Sequence, residues 1–180
     1  EIQDLVRASV GLNLALDYLP GSITFDPLAD RPDSLLASQV VWLDAYVTNV
    51  DRTPRNTNIL VWHRRLWLID HGAALYFHHA WDGYMTRSLA PFKQIKDHVL
   101  LPFADSLREA DGELGAKLTP ALVEGLVGLI PDAWLGDEPR FASVAEHRAA
   151  YVEFLLARAG ARPRAFVEEA VNARTSLGGD

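Results

Sequence analysis

Leu35, Leu36, Val40, Val41, Leu43 and Tyr46 recur at helical spacing, the pattern of a helix that buries one stripe. Residues 30–32 (Asp-Arg-Pro) supply a start signal and the polar stretch 49–51 an end, as expected of helix borders. Beyond that loop, 57–62 and 66–69 are short apolar runs on either side of His63-Arg64-Arg65. That arrangement predicts two strands joined as a hairpin. Upstream, 11–19 alternates in part between apolar and polar residues and stops at Pro20-Gly21, which predicts a strand followed by a loop. The remainder reads as helices broken by Pro and Gly, over 87–110, 119–130, 143–159 and 163–174. In the third of these, Tyr151, Phe154 and Leu155 form an apolar face suited to a core. The expected fold class is mainly α with a small β element (α+β), in one domain over 1–180. Its parts would be a strand and loop over 1–21, a central segment over 30–72 and a helical portion over 84–176. No internal repeat or low-complexity tract interrupts the pattern, and Asp137-Glu138-Pro139 is at most a surface linker.

Composition narrows the classes of function. At 180 residues with 49% hydrophobic and 23% charged content, the chain can bury a sizeable core and is not a disordered polymer. A net charge of −7 without a run of Lys or Arg makes nucleic acid a poor partner. The chain has no cysteine, which excludes disulfides, thiolate zinc sites and cysteine nucleophiles and points to the cytoplasm. No apolar run approaches the roughly 20 residues that span a bilayer. The amino end lacks a signal-peptide pattern and an initiator Met, Met85 being the only one. The chain therefore reads as an excised or processed piece of something longer.

The densest chemistry lies between residues 44 and 72. Asp51 and Asn56 stand five apart in one loop, and Asp70 follows the second predicted strand, ahead of His71-Gly72. Phosphoryl transfer needs hard oxygen ligands for a divalent cation and a carboxylate that orients the acceptor hydroxyl. Asp51 is placed to meet the acceptor, while Asn56 and Asp70 could hold Mg²⁺ or Mn²⁺ beside the phosphates of ATP. Gly72 would permit the backbone turn after Asp70. Arg52 and Arg55 could screen the carboxylates or hold a phosphate, whereas Trp62 and Trp67 suit packing. Asp and Asn are also common in loops because they bond to local backbone. It is the combination with a preceding helix, a following hairpin and the terminal Ile-Asp-His-Gly that carries the reading.

With its Asn-Val-Asp-Arg-Thr-Pro-Arg-Asn-Thr-Asn run at 49–58 and Leu-Ile-Asp-His-Gly at 68–72, the chain resembles the HipA-like family of bacterial kinases. The same elements are similar to Asn-x-Asp-Arg and Ile-Asp-x-Gly of phosphatidylinositol 4-kinases. The resemblance implies the carboxy-terminal lobe of a protein-kinase-like fold, with Asp51 as catalytic residue and Asn56 and Asp70 as metal ligands. His71 would stand at the Phe position of a kinase Asp-Phe-Gly. It further implies a hinge at Asp17, Tyr18 and Leu19, where the backbone would meet adenine, and a protein Ser/Thr or small-molecule hydroxyl as acceptor. The departures are equally specific. Lysine occurs only at Lys93, Lys96 and Lys117, after Asp70, and no Gly-x-Gly-x-x-Gly is present. The expectation is a lobe separated from its amino-terminal partner lobe, binding ATP weakly and with negligible turnover alone.

Two other readings stand beside this one. His71, His78 and His79 with Asp70 and Asp82 could form a metal-hydrolase cluster, although their spacing fits no His-Glu-x-x-His scheme. Alternatively, the fold serves as a non-catalytic binding module. Residues 82–89, with Thr86 and Ser88, would sit where an activation segment lies.

Overall fold

A computed structural model describes residues 2–136 and 138–178 of the chain. Seven α-helices and three short strands follow one another in these segments: α1 (Ile2–Ala8), β1 (Ile23–Thr24), α2 (Ser34–Tyr46), β2 (Ile59–Trp62), β3 (Arg65–Leu68), α3 (Tyr84–Ser88), α4 (Leu107–Lys117), α5 (Pro120–Gly128), α6 (Val144–Gly160) and α7 (Ala165–Leu177). The fold is mainly helical with one small antiparallel sheet in the order β1-β2-β3, the coarse class that the residue pattern predicts.

Helix α2 begins one step later than the Asp-Arg-Pro signal suggests. The Asp33 carboxylate accepts the Leu36 N–H at 3.0 Å, satisfying one of the amide groups that a helix start leaves open. Ala37, Val40, Val41, Trp42, Ala45 and Tyr46 are buried, and so are the polar Ser38 and Asp44. A helix covered on so many sides forms the centre of a core rather than a surface stripe.

The predicted hairpin is present, with Ile59 opposite Leu68 and Trp62 opposite Arg65. Its two-residue turn places His63 at φ 48° and Arg64 at φ 62°, the left-handed pair that matches the twist of the flanking strands. Trp62 and Trp67 meet edge to face at 5.5 Å, so these residues pack as anticipated.

Two sequence expectations need correction. Residues 11–19 form no strand; they are irregular and largely exposed, and a short helix, α1, precedes them. Leu12, Leu14 and Leu16 alternate with polar or small residues, but the sheet's only neighbour for β2 on that side is the two-residue β1. A strand without a partner ladder has nothing to satisfy its backbone. The single helix read over 87–110 is also broken, into α3, 3-10 turns at Lys93–Asp97 and Leu101–Phe103, and α4. Pro91 and Pro102 supply the reason, since neither has an N–H to continue a helical ladder, and Pro102 is accommodated only in the first turn of its 3-10 segment.

The later helices carry their own caps. The Thr119 hydroxyl accepts the Leu122 N–H at 3.2 Å ahead of Pro120, and the Ser143 hydroxyl accepts the Glu146 N–H at 3.1 Å. One buried cluster surrounds α2 and includes Phe25, Trp42, Ile59, Leu100, Leu101 and Phe166. A second joins Phe77, Trp81, Val123, Val127, Tyr151 and Phe154. Leu118 and Leu155 pack against both. Among the described residues, no helix is long and apolar enough to cross a membrane.

Candidate functional site

The loop between α2 and β2 is shaped by a tight turn. Thr53 and Asn56 exchange backbone hydrogen bonds, Thr53 N–H to Asn56 O at 3.0 Å and Asn56 N–H to Thr53 O at 3.1 Å, around Pro54-Arg55. Pro presets the backbone for the first central position of such a turn. The reversal returns Asn56 to Asp51, whose Oδ2 accepts from Asn56 Nδ2 at 2.7 Å. The five-residue interval is thus the length of chain needed to go round one turn. Asn58, unnoticed at the level of sequence, closes the group: its Nδ2 donates to the Asp51 backbone oxygen at 3.1 Å and lies 3.4 Å from Oδ2. Asp51 is half-buried, and the Asn56 side chain is exposed.

Beneath this loop lies a buried polar network. Arg52, only 1% exposed, donates from Nε to Asp44 Oδ2 at 2.5 Å. It also reaches the Asn58 carbonyl at 2.5 Å and the Ile69 carbonyl at 3.5 Å, while its other terminal nitrogen lies 3.3 Å from His71 Nδ1. His98 Nε2 lies 2.9 Å from Asp44 Oδ2, and Asn49 Nδ2 donates to Asp44 Oδ1 at 3.0 Å. His98 Nδ1 accepts the Leu100 N–H at 3.0 Å, so the proton sits on Nε2 and the imidazole is neutral. Burial lowers the His98 pKa, outweighing the pull of Asp44. For Asp44, burial pushes upward, but the hydrogen bond from His98 and then the Arg52 guanidinium hold the carboxyl below its ordinary value. With the imidazole neutral, Arg52 is the cation that compensates the charge. Arg52 therefore fixes the loop from below and does not face a phosphate. Arg55 is exposed, and no carboxylate pairs with it among the described residues.

Asp70 follows β3 and is tied to the loop through its neighbours. Ile69 N–H bonds to the Asn58 carbonyl at 3.0 Å, Val50 N–H to Ala73 O at 3.4 Å and Leu75 N–H to Val47 O at 2.6 Å. Asp70 itself takes a left-handed conformation, at φ 47°, which Asp tolerates better than most residues. Gly72 serves by lacking a Cβ, which would stand 3.3 Å from Asp70 Oδ1. The Asp70 side chain is exposed.

Asp51, Asn56 and Asp70 present only hard oxygen donors of the kind that suits Mg²⁺ or Mn²⁺. With Asn56 donating from Nδ2, its Oδ1 is left as an acceptor; the Asp70 carboxylate accepts from Gly72 N–H at 3.4 Å and shares no hydrogen bond with Asp51 or Asn56. The residues read as the hinge lie elsewhere: Asp17 and Tyr18 are exposed, Tyr18 to 85%, and Leu19 is half-buried. Pro20, next in the chain, accepts Trp62 Nε1 at 2.9 Å, beside the hairpin turn and at the other end of β2 from Asn58. No hydrogen bond or ion pair joins Asp17, Tyr18 or Leu19 to Asp51, Asn56 or Asp70.

His78 and His79 meet ring edge to face at 4.5 Å, but His71 and Asp82 have other partners. His71 faces Arg52, His78 Nδ1 lies 3.0 Å from the Tyr151 hydroxyl, and Asp82 pairs with Arg140 at 2.6 Å. Burial, with the neighbouring His79 and His147, lowers the His78 pKa. Among the described residues no three His, Asp or Glu side chains gather as a metal site. In the 82–89 segment, Ser88 is buried and donates to the Met85 carbonyl at 2.7 Å. No family model, curated protein or solved structure matches this chain.

Proposed function

We propose that the chain is the acceptor- and metal-holding part of a HipA-like phosphotransferase, which moves the γ-phosphoryl group of ATP to a hydroxyl, by resemblance a protein Ser or Thr. The observation that supports this most is the anchoring of the Asp51 loop and the Asp70 segment by one buried guanidinium, Arg52. Groups that act together on a transferring phosphoryl must be held in fixed relation, and a buried Arg–Asp pair with backbone acceptors is a stiff way to do so.

In this reading Asp51 orients the acceptor hydroxyl and receives its proton. The acceptor oxygen bonds to the γ-phosphorus as the bridging bond to ADP breaks, and ADP departs with the electron pair. Asn56 and Asp70 would hold the divalent cation, which when bound neutralises phosphate charge. Asn58 keeps the Asp51 carboxylate aimed, through contacts on both its backbone and side-chain oxygens.

Proton–nitrogen correlation spectra with ATP and Mg²⁺ test the reading and register weak binding. The amide signals of Asp51, Asn56 and Asp70 should move together and only when both ligands are present. Asp70→Asn should lower the affinity about tenfold, the loss of one charged metal contact. Asp51→Asn should leave nucleotide affinity within about twofold, because a base acts on the chemical step and not on binding. Shifts confined to other parts of the chain, or none at millimolar nucleotide, would count against the assignment.

A further inference from the structure

Seven buried side-chain nitrogen or oxygen atoms among the described residues have no hydrogen-bond partner, and three of them belong to residues that line one cavity: Thr48 Oγ1, Arg87 Nε and Arg158 Nε. Buried polar groups are nearly always paired; these three atoms are themselves closed to solvent, so they mark a wall with more donors than acceptors and are not the atoms that a ligand would touch directly. The cavity measures about 300 Å³, the lower end of the range for small-molecule sites.

Its charge is one-sided. None of its lining residues is Asp or Glu. Arg158 is 2% exposed and is held by the carbonyls of Ser88 and Ala90 at 3.0 Å and of Ala45 at 2.8 Å. The Phe166 ring lies 4.6 Å from its guanidinium carbon. Arg87 donates to the Phe77 and Ala80 carbonyls. Among the described residues neither guanidinium has a carboxylate partner; Arg31, Arg55, Arg64, Arg65 and Arg162 also lack one but are exposed, whereas Arg158 is buried and Arg87 half-buried. Burial lowers the Arg158 pKa to about 10, which still leaves it a cation at neutral pH. In a chain of net charge −7, two uncompensated guanidinium groups in one place are a local exception to the overall field.

We propose that this cavity binds a small organic phosphate monoester, with Arg87 gripping the phosphate, Arg158 lying behind it and the aromatic walls enclosing the organic part. A monoester dianion carries close to two negative charges near neutrality, the number that two guanidinium groups would neutralise. Guanidinium recognises such oxygens through paired N–H donors. The Gln94 amide offers a further donor, and Tyr76, Phe77 and Phe92 offer apolar surface. Thr48 stands at φ 55°, costly for a β-branched residue, three residues before Asp51. The inference does not depend on phosphoryl transfer at Asp51.

Titration of the 180-residue chain with phenyl phosphate, at ionic strength held constant with chloride, provides the test. Binding should saturate and should shift the His79 ring signals in the wild-type chain, a readout that needs no variant to fold. Arg87→Gln should weaken binding by about tenfold or more, with Arg87→Lys intermediate, because a point charge replaces the fork. Benzoate, with the same ring and a single charge, should bind more weakly than phenyl phosphate. Asp51→Asn should leave the affinity unchanged, which separates this site from the phosphotransfer loop. Absence of saturable binding overturns the proposal, and so does binding indifferent to Arg87, binding lost with Asp51, or equal affinity for benzoate.

Discussion

Arg52 and Asp44 lie beyond the reach of bulk water, and each is tolerable there only because of the other. Asp44 accepts from Arg52, His98 and Asn49, so its removal strands a buried cation and two donors. Asp44→Ala should cost on the order of 3–5 kcal/mol in chemical denaturation, the range for breaking one partner of a buried ion pair. Asp51→Ala, on a half-buried loop carboxylate with neutral partners, should cost only about 1 kcal/mol. A comparable loss in both variants would show that the loop is not held from below as described. Neither Asp44 nor His98 stands out in the sequence as a pair, since 54 positions separate them. The one local sign is a carboxylate at a position of α2 whose neighbours are apolar.

At the scale of elements, two turns of chain test the geometry. The hairpin turn uses His63 and Arg64 in left-handed conformation, where each non-glycine residue carries a penalty of about 1 kcal/mol. Arg64→Gly should therefore raise the melting temperature slightly, by the equivalent of about 0.5–1 kcal/mol. A fall would mean that the Arg64 side chain makes a stabilising contact. Helix α4 offers the opposite case. A Cβ on Gly115 would overlap the guanidinium of Arg164, which is pinned by Asp111 at 2.6 Å and the Ala159 carbonyl at 2.8 Å. Gly115→Ala improves helix propensity by up to about 1 kcal/mol, yet overpacking costs about 1–3 kcal/mol. Net destabilisation is expected, and thermal melts of the variant alone decide the sign. The hairpin, α5, α6 and α7 follow from periodicity and turn residues. The broken stretch around 91–103 does not, because the local apolar pattern continues through prolines that forbid a continuous helix.

For the whole molecule, the buried imidazoles and Asp44 set the response to acid. The His98 and His78 pKa values are lowered from 6.5, so the folded state keeps them neutral and the unfolded chain takes up protons first. Their contribution is fully present above pH 6.5 and declines as pH falls toward the folded values. The Asp44 pKa is lowered from 3.8, so its contribution is intact above that value and lost below it. Melting temperature should thus be level from neutrality up to pH 10.0, where the raised pKa values of buried Tyr46 and Tyr151 begin to lower it, and should fall below pH 6.5 and further below 3.8. His98→Gln should flatten the first step, and a profile unchanged by that substitution would exclude His98 as a source.

The sequence by itself determined the helical class and the hairpin, because these rest on short-range periodicity, and residue chemistry singled out Asp51, Asn56 and Asp70 as candidates. Tertiary structure decided what those residues lean on. Asp44, Arg52 and His98 come from three separate stretches, and only packing brings their charges into one water-free space. The 11–19 segment shows the same limit from the other side: alternation is a local property, but a strand requires a partner edge. Likewise, Thr48, Arg87 and Arg158 each look ordinary along the chain. Only the fold places them around one cavity whose lining holds two guanidinium groups and no carboxylate.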